Sequence, residues 1–191
     1  MFSRVTLIML SILIGACSTS LKNVKHDHTL KIGEGILLTK LQTNYPFQLA
    51  LKNSSGKIFW LEPKLQDDKN VLLVMSLMGG KYTVHNISWK NNSAVLSEKE
   101  TFSFSIKPGK VNYICDFGAY FKFKSKGTVE DDLVPELELV LPVYLKSSTL
   151  KEFKARYSTM WKKYPSISSP ASQCIRGDSK KALHLKKLLN L

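Results

Sequence analysis

Along most of the chain apolar and polar residues alternate, and a period of two is the mark of half-buried strands. The alternation begins near Leu30. Phe47, Leu49 and Leu51 fall on one side, Gln48, Ala50 and Lys52 on the other. Asn53-Ser54-Ser55-Gly56 predicts a turn, and residues 57–61 a partner strand. Residues 71–77 form a continuous apolar run, fit for a strand buried on both faces. Gly79-Gly80 breaks it, and residues 82–89 continue as a strand. The clearest case is Phe102, Phe104 and Ile106 against Ser103, Ser105 and Lys107. Pro108-Gly109 predicts a turn that returns Val111, Tyr113 and Cys115 as a hairpin partner. Phe121 and Phe123 alternate with Lys122, Lys124 and Lys126; Leu137, Leu139 and Leu141 alternate with Glu136 and Glu138. Seven or eight short strands with turns between them predict a mainly β fold, an antiparallel β-sandwich.

The period changes after Tyr144. Leu150, Phe153, Tyr157, Met160, Trp161 and Tyr164 fall three or four apart, one face of a helix. Thr149 with Glu152 reads as a capping box at its start, and Pro165 closes it. The apolar stripe is expected to pack on the sandwich, with Lys151, Lys154, Lys162 and Lys163 opposite. Residues 166–179 read as a loop. Residues 180–191 read as a fraying tail, or as a short basic helix with Leu185, Leu188 and Leu189 on one side. The sandwich is therefore expected over residues 30–145, with a helical segment over 146–191.

The first residues follow another logic. Arg4 precedes an apolar run from Val5 to Ile14, broken only by Thr6 and Ser11. At about ten residues the run suits a signal peptide and is too short for the roughly 20 residues of a membrane-spanning helix. It ends in Leu13-Ile14-Gly15-Ala16-Cys17, which resembles the lipobox of bacterial lipoproteins. The resemblance implies removal of residues 1–16 by the signal peptidase of that class and acylation of Cys17, with palmitate among the chains. Three chains would fix the protein to a membrane permanently, since one alone binds marginally. Ser18, rather than Asp, follows the cysteine, which favours the outer membrane on its periplasmic side. Residues 17–29 are then expected to be a polar tether, with Lys22, Lys25, His26 and His28.

Composition sharpens this picture. The processed chain has 175 residues and a net charge of +12, because Arg4 is the only charge removed. That is enough chain for one domain with a core. The charge implies attraction to anionic surfaces such as phospholipid, lipopolysaccharide or an acidic protein. Nucleic acid is not expected for an exported protein. With Cys17 acylated, Cys115 and Cys174 remain as a pair in an oxidising compartment, and a disulfide is expected; the alternative is a buried Cys115 and a free Cys174.

Catalytic patterns are not found. His26-Asp27-His28 has metal-like spacing but reads as solvated linker. His85 reads as a core or edge histidine. Gly79-Gly80-Lys81 lacks the spacing of a phosphate loop. Cys115-Asp116 would need a placed base to act as a nucleophile. Glu130-Asp131-Asp132 reads as a solvated loop. No cofactor or metal is expected.

Gly80-Lys81-Tyr82-Thr83-Val84, followed by residues 102–117 with Pro108-Gly109, Tyr113 and Asp116, is similar to a recurring pattern. It resembles envelope lipoproteins and the transthyretin-like or carboxypeptidase-regulatory-like sandwich domains. Cys115 stands where those domains often carry Gly. The resemblance implies a sandwich and no settled activity. The functional expectation is a membrane-anchored, non-enzymatic binding or accessory module with an envelope protein as partner. The alternative is a binder of lipopolysaccharide or phospholipid through Lys122, Lys124, Lys126, Lys151, Lys154, Lys162 and Lys163, and a further alternative is an unidentified hydrolase.

Overall fold

The computed structural model describes residues 19–61, 70–96, 101–125, 133–165, 167–168 and 174–190. In chain order the strands begin with β1 (Thr19–Leu21), β2 (Glu34–Thr43), β3 (Gln48–Asn53), β4 (Ile58–Leu61) and β5 (Asn70–Met78). They continue with β6 (Gly80–Trp89), β7 (Asn92–Val95), β8 (Phe102–Ile106), β9 (Val111–Tyr113), β10 (Asp116–Ser125) and β11 (Leu133–Tyr144). Helices α1 (Lys146–Arg156) and α2 (Ser158–Lys163) follow, then β12 (Ile167–Ser168), β13 (Ile175–Arg176) and α3 (Lys180–Leu189). Seven of these strands are five residues or longer, so the expected mainly β sandwich with a C-terminal helix is present.

Two sheets face each other. The first runs β1-β4-β3-β6-β7, with β8 also on β6; the second runs β12-β9-β2-β10-β11-β13, with β5 also on β2. Between them lies the main core, including Leu37, Leu41, Phe47, Leu49, Val84, Phe102, Phe117 and Phe121. Phe121 has no exposed surface, and the rings of Tyr45, Phe47 and Trp89 surround it at 5.6–6.1 Å. Burying one such side chain contributes about 1.5–3 kcal/mol. Residues 71–77 are buried on both faces as expected. Leu73, Met75 and Leu77 of β5 face the main core, while Leu72 and Val74 join a second cluster.

That second cluster forms the third layer. Phe153, Tyr157 and Met160 pack on Ile36, Leu38, Val111 and Tyr113, with Leu150, Trp161 and Tyr164 at the edges. The stripe read at helical spacing thus covers the outer face of the second sheet. α3 covers the same face farther along, with Ala182, Leu185 and Leu189 on Leu141 and Val143. Ser179 caps it by accepting a hydrogen bond from the amide of Ala182 at 3.3 Å. A Cβ on Gly118 would come within 2.2 Å of Leu185 Cδ2, so glycine sets how closely α3 can sit. Residues 180–189 are therefore a packed helix and not a fraying tail.

Several local expectations are corrected. β8 and β9 do not form a hairpin. β8 pairs with β6 in the first sheet, whereas β9 pairs with β2 in the second. The Pro108-Gly109 turn crosses between sheets, as does Gly79-Gly80, and the sheets become mixed rather than purely antiparallel. β2 pairs antiparallel with β5 but parallel with β9 and β10. Thr149 and Glu152 do not cap a helix, because α1 starts three residues earlier with no side-chain cap. Their polar atoms are held elsewhere. The Thr149 hydroxyl donates to Asp116 Oδ2 at 2.6 Å, and Glu152 pairs with Lys40 at 2.9 Å and Arg156 at 3.0 Å.

The segment read as a tether is also fixed in its described part. β1 runs parallel to β4, Thr19 opposite Phe59. Asn23 clamps the edge of β5: its Nδ2 donates to the Leu72 carbonyl at 3.0 Å and its Oδ1 accepts from the Val74 amide at 2.8 Å. The Val24 amide then donates to the Val74 carbonyl at 2.8 Å. These contacts satisfy backbone groups that a bare edge strand would leave open.

Candidate functional site

On one flank the two sheets do not close on each other. Sheet one ends there in β7 and β8, while β10 and β11 of sheet two run on beneath α3. The gap is a cleft of about 540 Å³, a size that suits a small ligand or an inserted side-chain cluster. Val84, Ile87 and Phe102 line one wall and Phe117, Leu137 and Val140 the other, and Leu139 and Leu141 from the cluster under α3 also contribute. Glu138 of β11 and Lys181 of α3 are its charged side chains. Val95, at the lip, is 74% exposed. No sequence signal marks this cleft, since its walls are apolar strand residues that read as ordinary core; Val84, Ile87, Phe102 and Phe117 are each 3% exposed or less.

The strongest electrostatic perturbation lies elsewhere. Asp116 is fully buried on the helix-covered face of the second sheet. Burial pushes its carboxyl up to about 6, against hydrogen bonds from Thr149 and Tyr113 and the nearby charge of Lys40. Its Oδ1 has no hydrogen-bond partner among the described residues. Burial, and then the charge of Asp116, also push the Tyr113 hydroxyl far up. That hydroxyl accepts from the Leu145 amide at 2.9 Å, just before α1. Burial also works against ionisation of Glu152, but hydrogen bonds from Lys40 and Arg156 prevail and hold its carboxyl below the usual range. The group is closed under α1, and Asp116 does not line the cleft. Its chemistry is that of a polar pin between helix and sheet.

Cys115 and Cys174 form a disulfide, with Cα atoms 6.0 Å apart. The basic residues expected to bind anions are dispersed. Lys122 pairs with Glu138 at 2.6 Å and Lys124 with Glu136, across β10 and β11. Lys154 lies over the Trp161 ring at 4.3 Å, and Lys163 donates to Thr29 at 2.8 Å. Lys151 and Lys162 are exposed on the helices. Cys17, Lys126 and Glu130-Asp131-Asp132 lie outside the described residues. Among the described residues, no three His, Cys, Asp or Glu side chains gather as a metal would require. His85 is half-buried in β6, and His26 is exposed beside half-buried His28.

No family model matches the chain, and no curated protein matches it. Among solved structures the chain is similar to a leucine-rich repeat protein from Bacteroides thetaiotaomicron, at 15% identity and a TM-score of 0.28. The match covers 44% of this chain and 13% of that one. A likeness this distant carries no argument about function.

Proposed function

We propose that this chain is a lipoprotein of a bacterial cell envelope, acylated at Cys17 and acting as a non-enzymatic binding module, most simply at the periplasmic face of the outer membrane. The observation that carries the binding reading is a separation. The apolar cleft is lined by Phe102, Phe117, Val140 and their neighbours, and the perturbed carboxyl of Asp116 is not among them. A hydrolytic site would bring such groups together in one pocket. The apolar cleft suits a protein partner that inserts side chains. The Cys115–Cys174 bond is in keeping with an exported location, and the apolar run ending at Cys17 supports the anchor.

The test is photocrosslinking in intact cells from a reactive residue in place of Val95, in the full chain with Cys17 retained. One discrete protein adduct, lost when Leu139→Arg blocks the cleft, is the expected result. Adducts of lipid or lipopolysaccharide in place of a protein overturn the protein-partner reading. Turnover of an envelope substrate by the purified chain overturns the non-enzymatic one. The mass of the N-terminal peptide reads the anchor separately: an unmodified Cys17 sinks it.

A further inference from the structure

Four turns meet at one end of the sandwich. They are residues 31–34 before β2, 53–57 between β3 and β4, 78–81 between β5 and β6, and 106–110 between β8 and β9. Backbone bonds tie three of them together. The Gly79 amide donates to the Gly33 carbonyl at 2.7 Å, and the Gly109 amide donates to the Glu34 carbonyl at 2.8 Å. Asn112, buried below, donates to the Lys107 and Lys110 carbonyls at 3.1 and 3.0 Å and accepts from the Lys107 amide at 2.9 Å. Asn53 stands opposite Tyr82, one residue from Lys81. This end is therefore a constructed surface and not a set of independent loops.

Its chemistry is one-sided. Lys31, Lys57, Lys81, Lys107 and Lys110 are all exposed, and none of the five has an ion-pair partner among the described residues. The same turns carry one acid, Glu34, whose carboxylate accepts from the Lys31 amide at 2.9 Å. Two large apolar side chains stand out among the lysines: Ile32 is 101% exposed and Met78 57%. Met78 reaches Gly33, the residue after Ile32: a Cβ there would meet Met78 Cε at 3.0 Å. The lysines of β10, by contrast, are matched with glutamates.

Chain direction supplies the occupant. β1 is parallel to β4 and enters its sheet at the level of Phe59, two residues past Lys57 of the 53–57 turn. β1 thus begins at the lysine-rich end of its sheet. Two residues span at most about 7 Å, which bounds the distance of Cys17 from Thr19.

We infer that this end of the sandwich lies on an anionic phospholipid surface, with Ile32 and Met78 entering the headgroup layer and the five lysines facing lipid phosphates. The inference rests on the proposed acylation of Cys17, which would deliver this end to the bilayer. The domain would then be held end-on against the membrane instead of swinging on a tether, and the cleft on its flank would open sideways, accessible to a partner. A lysine beside an anionic surface is worth a factor of about five in partition. Removing three of the five lowers docking by about a hundredfold.

The test uses the full chain as cells process it, reconstituted in vesicles of phosphatidylethanolamine and phosphatidylglycerol. A fluorophore is attached at Ile32→Cys in one sample and at Lys124→Cys, toward the opposite end, in another. The expected result is quenching of the label at 32 by brominated lipid and its protection from aqueous iodide, with the reverse at 124. In the Lys57→Gln/Lys107→Gln/Lys110→Gln chain the label at 32 returns to water. High salt does the same, because attraction is screened over about 8 Å already at physiological ionic strength. Iodide quenching at 32 equal to that at 124 overturns the inference whatever the N-terminus carries. The N-terminal peptide mass, read on the same sample, reports on the anchor alone.

Discussion

Breaking the Cys115–Cys174 bond is the perturbation with the best-defined magnitude. The two residues are 59 apart in sequence. On the chain-entropy account, closing a loop of that length in the unfolded chain raises stability by about 4 kcal/mol. Cys174→Ser removes the link while changing one atom in a half-buried side chain that packs against the main core. With a urea slope of about 2 kcal/mol per molar, the unfolding midpoint falls by about 2 M. The assay is equilibrium urea unfolding with and without reductant, followed by tryptophan fluorescence. Reduced wild type and Cys174→Ser are expected to coincide, and reductant should leave the variant unchanged. Thiol titration of the unfolded, unreduced wild type first shows whether the bond formed. If the thiols are blocked and reduction still leaves the midpoint in place, the loop-closure reasoning is refuted.

Two further predictions concern neighbouring residues. Cys115 has φ +143°, a region where a residue with a Cβ is strained by about 1–3 kcal/mol. In the Cys174→Ser background, Cys115→Gly should therefore be more stable than Cys115→Ala by about 1 kcal/mol; equal urea midpoints would remove the strain argument. Asp116 has a folded-state carboxyl raised to about 6 from 3.8, so between those values the folded chain holds one proton more than the unfolded. Stability from this group is present at low pH, is lost as pH rises through about 6, and changes by about 3 kcal/mol in all. Lys40, Glu152, Tyr113 and Thr149 face the same space, so the measurement is the difference between wild type and Asp116→Asn at pH 4 and pH 7. A difference that does not move with pH contradicts the assignment to Asp116.

Strand existence was legible because alternation is a local signal, and β3, β8 and β10 sit where Phe, Leu and Ile recur every second residue. Sheet membership was not legible. Pro108-Gly109 has the composition of a hairpin turn, and nothing local says that the next strand will join the facing sheet. The capping pattern at Thr149 and Glu152 misled for a related reason. Side chains that could bond the local backbone found stronger partners, Asp116 and Lys40, on strands distant in sequence. The cleft left no trace, because its lining consists of apolar strand residues that read as ordinary core. The lysine-rich end was hidden likewise: its five lysines come from four separate turns, each of which reads alone as an ordinary solvated loop.

The instructive misreading is Val111, Tyr113 and Cys115, which look like one alternation on one face. Val111 and Tyr113 face the helices, while Ile114, Cys115 and Phe117 face the space between the sheets. β9 and β10 run along the same edge of β2, Val111 opposite Ile36 and Phe117 opposite Leu41. One more residue lies on their side than on β2, and the extra residue sits at Ile114-Cys115. A one-residue slip in a period of two exchanges the faces of every side chain beyond it. Without that slip, Asp116 would enter the apolar core and Phe117, Ala119 and Phe121 would turn outward. The slip requires a backbone conformation that glycine adopts easily, the residue often found there in the sandwich domains this stretch resembles. Here the Thr39 hydroxyl donates to the displaced Cys115 carbonyl at 2.6 Å, and the disulfide to Cys174 holds the side chain in place. One strained residue thus places Asp116 under α1, seals the main core with Phe121, and leaves Phe117 as part of the cleft wall.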